Sequence, residues 1–79
     1  MKKRSKRYYF RDDNLLIQIG VKIREARMKK NVSQETLANE CEIDYSQINR
    51  MELGKVNFSV SCLSKIASVL NINPKELLP

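Results

Sequence analysis

The chain has 79 residues, with 15 Lys and Arg against nine Asp and Glu, no His and no Trp, for a formal net charge of +6. That length supports one domain with a modest core. It contains no apolar run of the ~20 residues that a membrane helix needs, and none of the seven or so that form the core of a signal peptide, so a cytoplasmic protein is expected. Without His the commonest general base is missing. There is no Gly-rich phosphate loop, and the only adjacent carboxylate pair, Asp12-Asp13, is better explained as a helix start. These absences argue against an enzyme. Cys41 and Cys62 are the only cysteines, without CxxC spacing, so neither a zinc site nor a cofactor is expected; both fall on apolar helix faces and read as buried reduced thiols.

Residues 1–12 form a basic, aromatic-containing arm, expected to be mobile without a partner. Lys2, Lys3, Arg4, Lys6, Arg7 and Arg11 give residues 1–11 six positive charges and no negative one, and residues 12–79 hold nine of each sign. The whole net charge therefore sits on the arm. Such an arm either holds a polyanion or acts as a solubilising tail, and composition leaves both open.

Residues 13–79 read as a domain of five helices, all-α. Helix 1 is expected over 13–30, with Leu15, Leu16, Ile19, Ile23 and Ala26 at three- and four-residue spacing on one face. Asp12 and Asp13 lie near its positive end, Lys29 and Lys30 near its negative end, and Asn31 suits a left-handed end residue. Ser33 is a good N-cap for helix 2, which turns Leu37, Ala38 and Cys41 inward and ends near Glu40 or Cys41. Glu42-Ile43-Asp44 is a short turn, and Asp44 is expected to cap helix 3, residues 45–53, with Gly54 closing it. Lys55-Val56-Asn57-Phe58 is a loop. Ser59 caps helix 4, which runs to about Leu70 with Leu63, Ile66, Ala67 and Leu70 inward. Asn73-Pro74 reads as N-cap plus Pro at the first position of a last helix, residues 74–78.

Two short helices joined by a three-residue turn make a helix-turn-helix pattern. On helix 3, Ile48 and Met51 share one side. Tyr45, Ser46, Asn49 and Arg50 occupy the opposite arc, with Leu53. Ser, Asn and Arg can bond base edges, and Arg can pair with guanine at two points; Tyr45 can reach a phosphate or a thymine methyl. A plain solvated helix face would show the same arc.

The order of segments favours the DNA-contacting reading. Ile23-Arg24-Glu25-Ala26-Arg27, Ser33-Gln34-Glu35-Thr36-Leu37-Ala38 and Ile48-Asn49-Arg50-Met51-Glu52-Leu53-Gly54-Lys55 follow one another. Leu63-Ser64-Lys65-Ile66-Ala67-Ser68-Val69-Leu70 and Pro74-Lys75-Glu76-Leu77-Leu78 come after them. This succession resembles the Cro/repressor-type (XRE-like) helix-turn-helix family over residues 16–78. The resemblance implies a compact five-helix domain with the motif at helices 2 and 3. It implies sequence-specific binding of double-stranded DNA, with Tyr45, Ser46, Asn49 and Arg50 toward bases and Ser33, Gln34, Lys55 and Asn57 toward the backbone. It also implies a structural ion pair between Arg27 and Glu52. Where the family often has Gly between helices 2 and 3, this chain has Glu42; at positive φ that substitution costs about 1 kcal/mol. Glu40, Glu42 and Asp44 put negative charge near the DNA side, which makes the arm, Arg50 and Lys55 more important.

A domain this small covers too little DNA for tight specific binding, so a homodimer on a palindromic operator is expected, with half-sites about 34 Å apart. Ile72, Leu77 and Leu78 are the expected contact surface, unless they cap the core. Transcriptional repression, including of its own gene, is the expected sense. The alternative reading is an antitoxin-type module binding a protein partner through the same fold. An RNA-binding role rests only on the Tyr8-Tyr9-Phe10 cluster, without a stacking platform.

Overall fold

The structure, a computed structural model, describes residues 10–79. The expectation of a mobile arm concerns mainly residues 1–9, which lie outside them. Four α-helices and one 3-10 turn follow in order: α1 (Asp13–Lys29), α2 (Gln34–Cys41), α3 (Tyr45–Glu52), α4 (Val60–Leu70), then the turn Pro74–Leu77. Among the described residues no helix is long and apolar enough to cross a membrane.

Starts and stops are written locally. Asp12, Ser33 and Ser59 each accept a hydrogen bond from the backbone N–H three residues on, at 3.1, 3.0 and 3.0 Å, which satisfies one orphan donor per helix. All four helices end in the same way. A left-handed residue, Asn31, Glu42, Gly54 or Asn71, has φ of 58, 60, 73 and 59° respectively. The N–H after it returns to a carbonyl five residues back, as in Val32 to Arg27 at 3.0 Å and Ile72 to Ala67 at 2.9 Å. This is the paired-bond helix stop, and Val32, Ile43 and Ile72, each one residue beyond the left-handed position, pack against the core.

Glu42 has φ 60° and ψ 42°, so the left-handed strain anticipated for a non-Gly residue is present. Glu42→Gly should remove a penalty of about 1 kcal/mol while adding about half of that in unfolded-chain entropy. A net gain of about 0.5 kcal/mol, or a melting temperature higher by about 2–4 °C, is the expected calorimetric result; a lower melting temperature would mean that Glu42 makes a compensating contact.

Helix α1 packs on α3, α2 on both α3 and α4, and the terminal turn against α4 and α1. Ile23, Leu37, Ile48, Ile66, Leu70 and Leu77 are fully enclosed, and burying such a side chain contributes about 1.5–3 kcal/mol. Leu15, expected on the inner face of helix 1, is 37% exposed; it lies about 100° around the helix from the buried Leu16. Cys41 is buried and Cys62 half-buried, both free, and burial pushes both thiols above their ordinary titration range.

Three further expectations need correction. The fifth helix is a 3-10 turn: its backbone bonds span three residues, Glu76 to Asn73 at 2.9 Å and Leu78 to Lys75 at 3.2 Å. Leu78 is already extended at φ −99° and ψ 146°, as the residue before Pro79 is sterically driven to be. Asp44 gives α3 no side-chain cap; only its carbonyl accepts, from Gln47 and Ile48 at 3.0 and 3.3 Å. Leu77 is no surface residue, because the 3-10 turn folds it between α1 and α4 with 0% exposure. Ile72 is half-buried against the same core. Of the three residues expected at a dimer surface, only Leu78 is exposed.

Candidate nucleic-acid interface

The sequence of α3 produces a two-sided helix. Ile48, Met51 and Glu52 are buried, and Tyr45, Ser46 and Arg50 are exposed with Asn49 half-buried. Arg50 donates from Nη2 to Ser46 Oγ at 3.4 Å. These two polar side chains thus stand side by side, one helical turn apart. Tyr45 borders a shallow recess with Arg27, Ser33, Gln34 and Glu35, so the start of α3 adjoins the start of α2.

Two glycines set the position of α3. A Cβ on Gly20 would lie 2.5 Å from the Met51 carbonyl oxygen and 2.6 Å from that of Glu52, so the middle of α1 touches the backbone at the end of α3. Gly54, at φ +73°, would bring a Cβ 2.6 Å from Ile17 Cγ1 and 2.7 Å from Ile17 Cα. No periodicity in the sequence announces either contact.

Buried charge locks the same corner. Glu52 has a side chain only 3% exposed. It accepts from Arg27 Nε at 2.6 Å and Arg27 Nη2 at 3.0 Å, and from Gln34 Nε2 at 2.9 Å. Arg27 Nη1 also donates to the Val32 carbonyl at 2.9 Å. One guanidinium therefore ties together α1, the loop before α2, and α3. The hydrogen bond to Glu52 dominates its environment and raises the Arg27 pKa above its ordinary value, against the opposing effect of burial.

Of the four residues expected at the DNA backbone, Ser33 uses its hydroxyl as the α2 cap, accepting from the Thr36 N–H and donating to Thr36 Oγ1, both at 3.0 Å. The Gln34 carboxamide is anchored on Glu52, with one further N–H to offer. Lys55 and Asn57 are exposed on the loop after α3, and Val56 and Phe58 alternate with them and pack on the core. The loop is thus held by its apolar residues and presents its polar ones. Sequence reasoning anticipated the Arg27–Glu52 pairing and missed the Gln34 and Val32 bonds, because they depend on where the loop before α2 falls beside α3.

Residues 23–77 match the model of the helix-turn-helix family HTH_3. The chain belongs to this family. Its members are DNA-binding transcription regulators, and the chain is such a regulator rather than an enzyme. It is 39% identical over 67 residues to the control protein C.BamHI of Bacillus amyloliquefaciens, covering 84% of this chain and 83% of that one. The crystal structure of the restriction-modification controller protein C.AhdI from Aeromonas hydrophila superposes with a TM-score of 0.77. Its identity is 40%, and the match covers 80% of this chain and 96% of that chain. A hypothetical transcription factor, NHTF from Neisseria, matches at 27% identity and a TM-score of 0.77 over 98% of this chain and 90% of its own.

Proposed function

We propose that the chain is a homodimeric, sequence-specific regulator that binds a palindromic operator and controls transcription of a restriction-modification gene cluster, in the sense of repression and including its own gene. The observation that carries this reading is the arc of exposed Tyr45, Ser46 and Arg50 with half-buried Asn49, on a helix whose other face is buried. That helix sits between the capped start of α2 and the Lys55–Asn57 loop. Helix N-termini offer free N–H groups and positive potential to a phosphate, and Lys55 offers a point charge. Ser33, Gln34, Lys55 and Asn57 thus flank the arc as backbone anchors, and the arc supplies donors and acceptors for base edges. The gene setting is carried over from two relatives, each about 40% identical and matched over most of its own length, one named a control protein and the other a restriction-modification controller.

Dimerisation follows from size. One eight-residue recognition helix reaches only a few base pairs, and a second copy about one DNA turn away doubles the readout. At the C-terminal end Leu78 is the exposed apolar side chain left for such a contact.

Selection of bound sequences from a random duplex pool at near-physiological salt is the test. An inverted repeat with half-sites one turn apart is the expected result. Recovery of no motif would overturn the operator reading and favour the partner-protein alternative. Within the recovered site, Arg50→Ala should weaken binding roughly 5- to 150-fold for each half-site and relax one base position. As an exposed substitution it should leave stability within about 0.5 kcal/mol. Unchanged selectivity in that variant would remove Arg50 from the readout.

A further inference from the structure

We propose that Glu52 is a positioning residue for DNA binding: its buried carboxylate presets the Gln34 carboxamide for a backbone phosphate before DNA arrives. This inference rests on the operator reading, in which Gln34 is a backbone anchor, and adds to it the group that orients that anchor.

Two observations lead here. The first is the set of donors gathered on one carboxylate. Arg27 already meets both oxygens of Glu52, with Nε on Oε2 at 2.6 Å and Nη2 on Oε1 at 3.0 Å. The ion pair is complete with those two bonds. Oε1 nevertheless accepts a third, from Gln34 Nε2 at 2.9 Å. An ionised carboxylate only accepts and an amide nitrogen only donates, so the bond fixes which end of the carboxamide turns toward α3. It leaves a second N–H on the same nitrogen. Glu52 cannot follow a moving partner, because its side chain is 3% exposed and Arg27 grips it from α1.

The second is where the held carboxamide stands. Gln34 borders the recess that Tyr45 also lines, and it borders another with Arg24, Asn49 and Leu53. Tyr45 and Asn49 are one helical turn apart on the proposed base-reading arc of α3. The carboxamide therefore lies along the flank of that arc, tied to the helix that carries it. A free glutamine in the first turn of a helix samples several rotamers, and it loses that freedom on meeting a phosphate. Ordering one such side chain at an interface weakens binding roughly 2- to 12-fold. Here the ordering is completed on folding, so binding does not bear that loss.

The experiment is a double-variant cycle on binding. Gln34→Ala is made in the native chain and in a chain carrying Arg27→Met and Glu52→Leu. The latter lacks the carboxylate and fills its space with apolar atoms, a replacement that commonly keeps a protein folded. Affinity for the selected operator duplex is measured for all four proteins below their melting transitions. The cost of Gln34→Ala should be smaller in the apolar chain by roughly 2- to 12-fold per half-site. Equal costs in both backgrounds would overturn the proposal and leave Glu52 with a structural role alone. A measurement on the unaltered chain does not depend on the apolar variant folding. In a nitrogen-edited NMR spectrum without DNA, the Gln34 carboxamide should be as rigid as the α2 backbone, with two well-separated proton signals. Adding duplex should shift one proton and leave the other in place. A mobile carboxamide in the free protein, or no shift on adding duplex, would overturn the proposal. If the native chain selects no motif, the operator reading fails by itself. Phosphate contacts carry no sequence information, so the same cycle on a random duplex still decides the role of Glu52. Unequal costs there support it, and equal costs overturn it.

Discussion

An Arg27→Ala variant is expected to lose about 3–5 kcal/mol of stability, a fall in melting temperature of about 15–30 °C for a domain of this size. The reason is the environment of its partner. Glu52 keeps a side chain only 3% exposed and Arg27 one that is 13% exposed, so truncating the arginine strands a carboxylate away from water. It also removes the donor to the Val32 carbonyl, which leaves that carbonyl without its side-chain partner. The two ion-pair contacts are nearly shielded from solvent, so added salt should change the loss little. The decisive comparison is a double variant. Arg27→Met with Glu52→Leu removes both charges and fills the space with apolar atoms, and buried pairs replaced in this way commonly keep or gain stability. Recovery of most of the loss, read by thermal unfolding with circular dichroism, is the expected outcome. A single variant that melts with the wild type would mean that water reaches Glu52, and the pair would then have no structural role.

Gly20→Ala should cost about 2–3 kcal/mol and lower the melting temperature by about 10–20 °C. On an isolated helix the sign would be reversed, because Ala is favoured over Gly by about 1 kcal/mol in a helix interior. Here the added methyl meets two carbonyl oxygens, at 2.5 and 2.6 Å. These belong to the α3 backbone and cannot rotate away as a side chain would. Helices α1 and α3 have to separate, which opens the contact that orients the recognition helix. The same variant should therefore bind operator DNA more weakly even at temperatures where it is fully folded, and Arg50→Ala should show the binding defect without the melting defect. An equal or higher melting temperature for Gly20→Ala would show that the two helices have room to spare.

The residues at which reading and structure agree, and those at which they part, follow a physical division. Ser33 and Ser59 as caps, Asp12 at the positive end of helix 1, and Asn31 and Gly54 as left-handed stops, are decided within four or five residues of chain, so their chemistry is visible in the sequence. The buried row Ile19, Ile23, Leu37, Ile48, Ile66 and Leu70 follows from helical spacing. The polar arc of α3 is visible for the same reason, since its opposite face is plainly apolar. Asp44 fails as a side-chain cap despite its residue type, because a capping preference gives a tendency and the local geometry decides whether the bond is made. Leu77 was misplaced because an apolar residue near the end of a short chain looks alike in sequence whether it covers its own core or a partner's.

By itself, then, the sequence determined the all-helical class, the helix-turn-helix order, the outward polar face of the recognition helix and the concentration of charge on residues 1–11. All of these depend on spacing, capping and counting. The tertiary structure alone decided what brings distant residues together. Examples are the approach of α1 to α3 at Gly20, the three-way junction of Arg27, Val32 and Glu52, the anchoring of Gln34, the enclosure of Leu77 and the bond from Arg11 to the Lys55 carbonyl. The hydrogen bonds among them join residues as far as 44 positions apart. Their energies come from exclusion of water and from fixed backbone obstacles, neither of which leaves a periodic trace along the chain.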